Sequence, residues 1–395
     1  MKNWKTLKSG KFLTVFFILT AAILIVFLWR SNLGRGLEAA LLLSDIAAGE
    51  KDSPFKRVTP APTRTSVTCR VKGRTYSGDL YRPGSETRAG ILLVPGAAEK
   101  GKDDPRLVAF ANTLARGHFA VLVPDLEGIR KLQVGSGNIR EVIDSFLQLG
   151  ALPDATPQGK AGICAFSYAV GPALLAALSP EIRNRVCFVM GVGGYYDLTR
   201  VLTFSTTGYF RENGHWQYRN PNEYGKWVFV LSNIDRLSDP EDRQIFRLMA
   251  ERKLEEPKEG VEDLAVKLGP EGKHFYDFIA NRDPSRVSLL ISHLPKEVRQ
   301  EIRALNLSNK DLSLLTAKLI LIHGLDDDII PYTESSALSR AMPPGQAELF
   351  LAKGLFHVDV KPGLSDSWQL WRSIVALLQA RDRKTCNVGA PLYWR

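Results

Sequence analysis

A buried strand that turns abruptly into a helix is the feature that most constrains the fold of this 395-residue chain. An apolar run ends at Phe166, and the Ala-rich run 169–178, which has the composition of a helix, begins almost at once. A serine, Ser167, lies at the junction. A serine on so sharp a strand-to-helix turn projects from the sheet edge, where its hydroxyl can attack a carbonyl group. The same position also suits a serine that caps a helix beginning at Tyr168.

Small residues flank this serine, as the turn requires. The turn crowds the positions two before and two after the nucleophile, which are usually glycine and are here Ala165 and Ala169. A serine nucleophile also needs a base to take its proton and an acid to orient that base. In hydrolases built on this turn, the three residues occur in the order serine, acid, histidine. The candidate acid and base are therefore expected after Ser167.

Only one histidine satisfies this order. The apolar strand 319–322 leads into a turn with three aspartates, 326–328, and of the six histidines only His357 follows that turn. Taken singly, His357 suits a surface loop and the aspartates suit a solvated turn. All three groups, however, lie just beyond the C-terminal ends of predicted strands, which is the edge where open α/β sheets bind ligands.

The chain from about residue 63 to its end resembles the α/β-hydrolase superfamily. The run 322–331 is similar to the acid loop of that family, in which the acid stands four residues after the histidine of a His-Gly pair. The resemblance implies that Asp327 is the catalytic acid, with Asp326 as the second choice. It also implies that His323 is a structural histidine of this loop.

The resemblance also implies the base, an alternative position for the acid, and the oxyanion donors. The run 354–357 is similar to the loop that delivers the catalytic histidine, which makes His357 the base. Some superfamily members place the acid after an earlier strand, where this chain has Asp197, although that residue fits a turn better. The strand 90–94 leaves through a Gly turn, as in the loop that donates one backbone N–H to the oxyanion hole. The implied donors are the N–H groups of Ala97 and Tyr168.

The rest of the chain indicates an α/β protein. Strands alternate with helices, which predicts a mostly parallel sheet with helices on both faces, and the resemblance implies roughly eight strands. The segments 65–71 and 74–81 flank Gly73 and predict an antiparallel hairpin.

An insertion at about 195–315 interrupts the predicted sheet. In the superfamily, an insertion here commonly forms a helical cap over the active site. Helices are predicted within it at 240–254 and at 287–305. The apolar face of the first comprises Ile245, Leu248 and Met249. The aromatic residues of the insertion are expected mostly to form its own core.

The N-terminus predicts a membrane anchor. Residues 12–29 carry no charge, and as a helix they would span about 27 Å, close to the thickness of a bilayer core. Four lysines precede this run, two arginines follow it, and no acid occurs before Glu38. This asymmetry predicts a single-pass protein with a cytoplasmic N-terminus and its catalytic domain outside the cytoplasm. A cleaved signal peptide is the alternative, but no convincing small-x-small cleavage site follows the run.

Three regions result: an N-terminal tip and anchor at 1–30, a linker at 31–62, and a hydrolase domain at 63–395. The apolar, helix-prone run 37–49 of the linker suits either a membrane surface or a docking site on the domain.

Composition narrows the possible ligands. Residues 1–30 carry five positive charges and no acid, so the net charge of +10 needs no nucleic-acid partner, and no basic stripe with interleaved aromatics occurs. No zinc-binding spacing and no phosphate-binding loop occurs, so no cofactor is expected. Cys164 and Cys187 are expected as small hydrophobic residues in strands. Cys69 and Cys386 are candidates for a disulfide if the domain lies outside the cytoplasm.

These expectations combine into a membrane-anchored serine hydrolase that acts on small-molecule or lipid-like carboxylic esters. An acyltransferase and a peptidase with the same three residues are alternatives, as is a non-catalytic binding module tethered to the membrane. The sequence leaves the substrate and the oligomeric state open.

Overall fold

The computed structural model describes residues 32–356, 359–360, 364–383 and 386, and it is built on an eight-stranded sheet. The strands of this sheet are β1 (Thr63–Val71), β2 (Arg74–Arg82), β3 (Ala89–Val94), β4 (Phe119–Pro124), β5 (Ala161–Phe166), β6 (Val186–Val192), β9 (Lys318–Gly324) and β10 (Ala347–Ala352). The shorter strands are β7 (Tyr209–Glu212), β8 (His215–Tyr218), β11 (Leu355–Phe356) and β12 (Asp359–Val360).

The sheet is mostly parallel, which confirms the predicted α/β sheet. Its spatial order is β1-β2-β4-β3-β5-β6-β9-β10, and only the β1–β2 and β2–β4 pairs are antiparallel. The predicted hairpin is present, with Val71 opposite Arg74 across a turn in which Lys72 and Gly73 both have positive φ. Every residue of β3, β4, β6 and β9 is buried, as expected for strands covered on both faces.

Helices cover both faces of the sheet. Those outside the insertion are α1 (Asn32–Ala48), α2 (Pro54–Val58), α3 (Pro105–Arg116), α4 (Glu127–Arg130), α5 (Gly137–Ala151), α6 (Val170–Leu178), α14 (Thr333–Ala341) and α15 (Leu364–Asp382). Helices α1, α3 and α15 share a core with one face, through residues such as Leu42, Leu114 and Leu377. Helices α5 and α6 share a core with the opposite face.

The segment between β6 and β9 forms a helical layer with its own core. Its helices are α7 (Leu198–Thr207), α8 (Glu223–Asn233), α9 (Pro240–Glu255), α10 (Glu262–Ala265), α11 (Pro270–Ala280), α12 (Val287–His293) and α13 (Lys296–Leu305). The aromatic residues Trp227, Phe246 and Phe275 pack in this core.

Two details of the predicted insertion were wrong. The helix expected at 287–305 is divided into α12 and α13, because Pro295 has no backbone N–H with which to continue the hydrogen-bond ladder. On α9, Met249 is buried as expected, but Leu248 is 42% exposed because the buried stripe of that helix runs through Phe246, Met249 and Ala250 instead.

The segment after residue 31 docks on the domain. Helix α1 packs along α15, and Glu38 forms a bidentate ion pair with Arg381, whose side chain is fully buried. Of the two locations that the sequence left open for this segment, the structure shows docking on the domain. Among the residues that the structure describes, no helix is long and apolar enough to cross a bilayer. The predicted anchor at 12–29 lies outside those residues.

One disulfide joins Cys187 to Cys386. Their Cα atoms lie 4.3 Å apart, while Cys69 and Cys164 are free. The sequence left the pairing of Cys69 with Cys386 open, and the structure does not contain it; Cys187 was expected as a free thiol, and that expectation was wrong. Cys69 lies on β1, at one edge of the sheet. Helix α15, which precedes Cys386, packs against β6, β9 and β10, towards the opposite edge.

Candidate active site

The backbone at Ser167 has the strained conformation of a nucleophile turn. Its φ is +55°, a left-handed value that costs a residue with a side chain about 1–2 kcal/mol. Strand β5 ends at Phe166, a 3-10 turn covers 167–169, and α6 starts at Val170. The capping positions of the 3-10 turn and of α6 are Phe166 and Ala169, so Ser167 is not the helix cap that the sequence also allowed. Left-handed strain at a strand-to-helix turn is the geometry in which a serine hydroxyl can be presented for attack.

Glycines next to the turn provide the space that it needs. A Cβ atom on Gly96 would lie 3.3 Å from the Cβ of Ser167, so the loop after β3 packs directly against the turn. A Cβ atom on Gly171 would lie 2.0 Å from the Tyr195 hydroxyl, so only glycine fits there. Ala165 and Ala169, which stand where glycine is usual beside the serine, are both buried.

The structure brings both expected oxyanion donors beside Ser167. Ala97 follows Gly96 in the loop that packs against the turn, and Tyr168 follows the serine in the chain. The hydroxyl of Tyr224, from α8, donates to the carbonyl oxygen of Ala97 at 2.9 Å. The insertion therefore holds the loop from which the Ala97 N–H would donate.

Asp327 is fully buried next to the site. Its Oδ1 accepts hydrogen bonds from the backbone N–H groups of Ile329 and Ile330, both at 2.9 Å. Its Oδ2 lies 3.3 Å from Nε2 of His323. Ile329 and Ile330 themselves line the cavity that contains Ser167, so Asp327 lies immediately behind the cavity wall. Asp326 is partly exposed and instead accepts a 3.3 Å hydrogen bond from the Gly354 N–H.

His323 has a structural environment. It is fully buried, and its Nε2 lies 2.8 Å from the carbonyl oxygen of Ile330, which can only accept, so Nε2 carries a proton. Its Nδ1 lies 2.7 Å from the hydroxyl of Ser335 on α14. Both ring nitrogens thus fasten the acid loop to the domain.

His357 lies outside the described residues. The chain that leads to it is fastened to the acid loop at two points. A Cβ atom on Gly324 would lie 1.7 Å from the Leu355 carbonyl oxygen, so β11 crosses directly over the end of β9. The contact between Asp326 and Gly354 is the second point. Leu355 also lines the cavity that contains Ser167.

Asp197 caps a helix. Its Oδ1 accepts from the Thr199 N–H at 2.9 Å and from the Asn306 side chain at 3.2 Å, at the N-terminus of α7. These are the contacts of a turn residue rather than those of an acid that orients a histidine.

Two residues near the site had no sequence signal. Arg219, in the insertion, donates to the carbonyl oxygens of Asp327 at 2.7 Å and Leu325 at 2.9 Å, and so clamps the acid loop. Glu334 is buried and accepts from the backbone N–H of Asp197 at 2.7 Å and of Tyr196 at 3.1 Å. Burial raises the pKa of Glu334 to about 7, although these N–H groups favour the carboxylate.

A cavity of about 960 Å³ opens from Ser167 and is lined mostly by apolar side chains. Pockets for drug-sized ligands measure about 300–1,000 Å³, so this cavity is large for the class. On the side of α1, α3 and α15 its wall includes Leu43, Ile46, Phe110, Leu370 and Ile374. On the side of the insertion it includes Leu198, Leu202, Val228, Phe229 and Ile302. The insertion therefore forms one part of the cavity wall, and α1, α3 and α15 form another.

Comparison with known proteins identifies the fold. No protein-family model and no curated protein matches the chain. Among solved structures, a Legionella pneumophila protein named provisionally as a hydrolase matches with a TM-score of 0.54 and 12% identity, over 88% of this chain and 95% of that one. The chain has the α/β-hydrolase fold.

Two other solved structures have lower scores. The acylaminoacyl peptidase of Pyrococcus horikoshii matches with a TM-score of 0.44 and 12% identity over 85% of this chain. This chain spans only 44% of the length of that peptidase. A cold-adapted esterase from an Arctic intertidal metagenomic library matches with a TM-score of 0.41 and 13% identity, over 81% of this chain and 94% of the esterase.

Tyr168, the residue after Ser167, lines the cavity as a neutral phenol. Burial, with the nearby Tyr195 as a second cause, raises the pKa of Tyr168 well above its ordinary value. The two rings stack with their centroids 6.2 Å apart, and the Tyr195 hydroxyl donates to the Leu305 carbonyl oxygen at 3.1 Å. The wall beside the serine therefore carries no charge from either tyrosine.

Proposed function

We propose that this protein is a membrane-anchored serine hydrolase that cleaves carboxylic esters through an acyl-enzyme on Ser167. The observation that carries the proposal is the left-handed backbone of Ser167 at the wall of a large, mostly apolar cavity. The cavity suits the apolar part of an ester better than a charged or strongly polar substrate.

In the proposed reaction, Oγ of Ser167 attacks the carbonyl carbon of the ester while His357 takes the hydroxyl proton. The carbonyl oxygen becomes an oxyanion, which the N–H groups of Ala97 and Tyr168 stabilise. His357 returns the proton to the leaving alkoxide, so an alcohol departs and the acyl group remains on Ser167. Water, deprotonated by His357, then attacks the acyl-enzyme; the bond to Oγ of Ser167 breaks, His357 returns the proton to that oxygen, and a carboxylic acid is released.

Asp327 would set the tautomer of His357 and stabilise its cation. Its burial and its two bonds from backbone N–H groups support this assignment, because they hold the carboxylate in one orientation. Asp326 is the weaker candidate, since it is partly exposed and is used by Gly354.

The anchor and the location of the domain are part of the proposal. The uncharged run 12–29 and the lysines before it support an N-terminus in the cytoplasm. The Cys187–Cys386 disulfide supports a domain outside the cytoplasm, because disulfides persist in oxidising compartments.

A cysteine introduced at Val266, which is 76% exposed, should react with a membrane-impermeant maleimide before cell lysis. A cysteine at Lys5 should react only after lysis. The opposite pattern would overturn the topology.

A fluorophosphonate probe tests the nucleophile. The full-length protein should be labelled at Ser167 and should hydrolyse p-nitrophenyl acetate. Ser167→Ala should lose both activities, while Ser77→Ala, at an exposed position on β2, should keep them. Absence of labelling and of ester turnover in the folded wild-type protein would refute the proposed function.

A further inference from the structure

Helix α1 directs its charges towards the protein. Arg35 pairs with Asp382 at 3.3 Å, and Glu38 pairs with the buried Arg381. Asp45 is 1% exposed, and its Oδ2 accepts from the Thr113 hydroxyl at 2.7 Å. A helix on the surface of a water-soluble domain normally shows the reverse arrangement, with its charges outside.

The outward face of α1 is uncharged. Its exposed residues are Leu33, Leu37, Ala40 and Ala47, with Leu33 60% exposed and Leu37 62% exposed. The spacings of four, three and seven residues put them in one stripe along the helix. Ser44 lies within this stripe, and its hydroxyl donates to the Leu41 carbonyl oxygen of its own helix at 2.7 Å.

An exposed tryptophan extends this face. Trp368 on α15 is 58% exposed and stacks on Trp371, with ring centroids 4.7 Å apart. Trp371 in turn donates from its indole N–H to the Gly36 carbonyl oxygen of α1 at 2.8 Å. We call the surface formed by Leu33, Leu37, Ala40, Ala47 and Trp368 the outer α1 face. Tryptophan is typical of surfaces at the boundary between lipid and water.

The same helix forms part of the wall of the Ser167 cavity. Leu43, Ile46 and Ala47 line the cavity from α1. Ala47 also belongs to the outer α1 face, so the cavity reaches the protein surface at the C-terminal end of this face. Lipid in contact with the outer α1 face would therefore lie next to an apolar passage towards Ser167.

We propose that the outer α1 face lies on a lipid bilayer and that the cavity draws a membrane-borne acyl ester through the α1 side of its wall. We infer a bilayer as the partner of the outer α1 face from the position of the helix in the chain. The uncharged run 12–29 ends three residues before α1 begins, so an anchor formed by that run would hold α1 at the membrane surface. This inference rests on the proposed function, and it adds a substrate class and a route of entry.

The test compares two esters with one leaving group. Full-length protein is reconstituted into phosphatidylcholine vesicles and is given p-nitrophenyl acetate in water or p-nitrophenyl palmitate carried in the vesicles. The double variant Leu33→Glu/Leu37→Glu places two charges on the outer α1 face. Palmitate turnover should fall roughly tenfold or more, because the charged face would be repelled from the acyl region, while acetate turnover stays within about twofold.

A matched control places the same charges elsewhere. Leu289→Glu/Val266→Glu changes two exposed apolar residues of the insertion, which are 56% and 76% exposed, and should alter neither rate. Equal rates in the α1 variant and this control, or an equal fall for both esters in the α1 variant, would overturn the inference. Absence of acetate turnover and of Ser167 labelling in the wild-type protein would instead refute the proposed function.

A spectroscopic readout is independent of catalysis. Lipids that carry a doxyl group in the acyl chain should quench Trp368 if the outer α1 face touches the bilayer. The wild-type protein should then lose a larger fraction of its fluorescence than Trp368→Phe in the same vesicles. Equal fractional quenching in the two proteins would overturn the inference.

Discussion

Replacing Asp327 with asparagine tests whether this residue, rather than the neighbouring Asp326, is the catalytic acid. The asparagine Oδ1 can keep both hydrogen bonds from Ile329 and Ile330, so the loop should retain its path. The new NH₂ group would replace Oδ2, which lies 3.3 Å from Nε2 of His323. That nitrogen already donates to the Ile330 carbonyl oxygen, so two donors would face each other in a buried site.

The expected effects differ in size. The misplaced donor should lower the free energy of unfolding by about 1–3 kcal/mol, the usual cost of a buried unsatisfied polar group. Catalysis should suffer more, because an amide at this position favours the wrong tautomer of His357. By analogy with the same substitution in other serine hydrolases, kcat should fall about 10,000-fold. That fall corresponds to about 5.4 kcal/mol of transition-state stabilisation.

The assay is the steady-state hydrolysis of p-nitrophenyl acetate, with urea unfolding to show that the variant is folded. Asp326→Asn is the matched control, since Asp326 is partly exposed and makes one 3.3 Å contact with Gly354. Its kcat should fall by no more than about tenfold, since the side-chain oxygen of asparagine can still accept the hydrogen bond from the Gly354 N–H. An active Asp327→Asn protein together with an inactive Asp326→Asn protein would show that the acid was assigned to the wrong residue.

Three further predictions concern stability. Ser167→Gly should be more stable than Ser167→Ala by about 1 kcal/mol, because glycine adopts φ = +55° without strain; equal melting temperatures would contradict this. Burial raises the pKa of Glu334 to about 7, from a value near 4.5 in the unfolded chain, so the native state holds this proton more tightly. The free energy of unfolding should therefore fall by about 3 kcal/mol as the pH rises from about 4.5 to 7. Glu334→Gln should remove this pH dependence from the free energy of unfolding. An unchanged slope of unfolding free energy against pH would contradict the assignment to Glu334. Arg381→Met should lower the unfolding free energy by about 3–5 kcal/mol, because it leaves Glu38 buried and unpaired, and adding Glu38→Gln should restore part of the loss in urea titrations.

Local patterns predicted the sheet and the position of the serine. The strands are short apolar runs with turn residues at their ends, so their positions could be inferred without knowledge of their neighbours. The strand-to-helix change around Ser167 is local in the same sense. Where local reasoning was wrong, long-range contacts or a single backbone group decided the outcome, as with the exposed Leu248 on α9 and the break at Pro295.

The surroundings of the site could not be predicted in this way. Arg219 lies 108 residues before Asp327 in the chain, yet it holds the carbonyl oxygen of that residue. Glu334 contacts the backbone of Asp197 across 137 residues. No spacing rule connects such pairs, because they meet only after the insertion and the sheet have packed together.

The sequence by itself determined the α/β class, the position of the serine at a strand-to-helix turn, and the order of serine, aspartates and histidine, because periodicity and turn chemistry act over a few residues. Tertiary structure decided which cysteines pair, which aspartate is buried, and where α1 lies. The last of these depends on the contact between Glu38 and Arg381, 343 residues apart, which turns the charges of α1 inward. Packing against α15 thus leaves an apolar face outside, a result that the composition of the helix did not reveal.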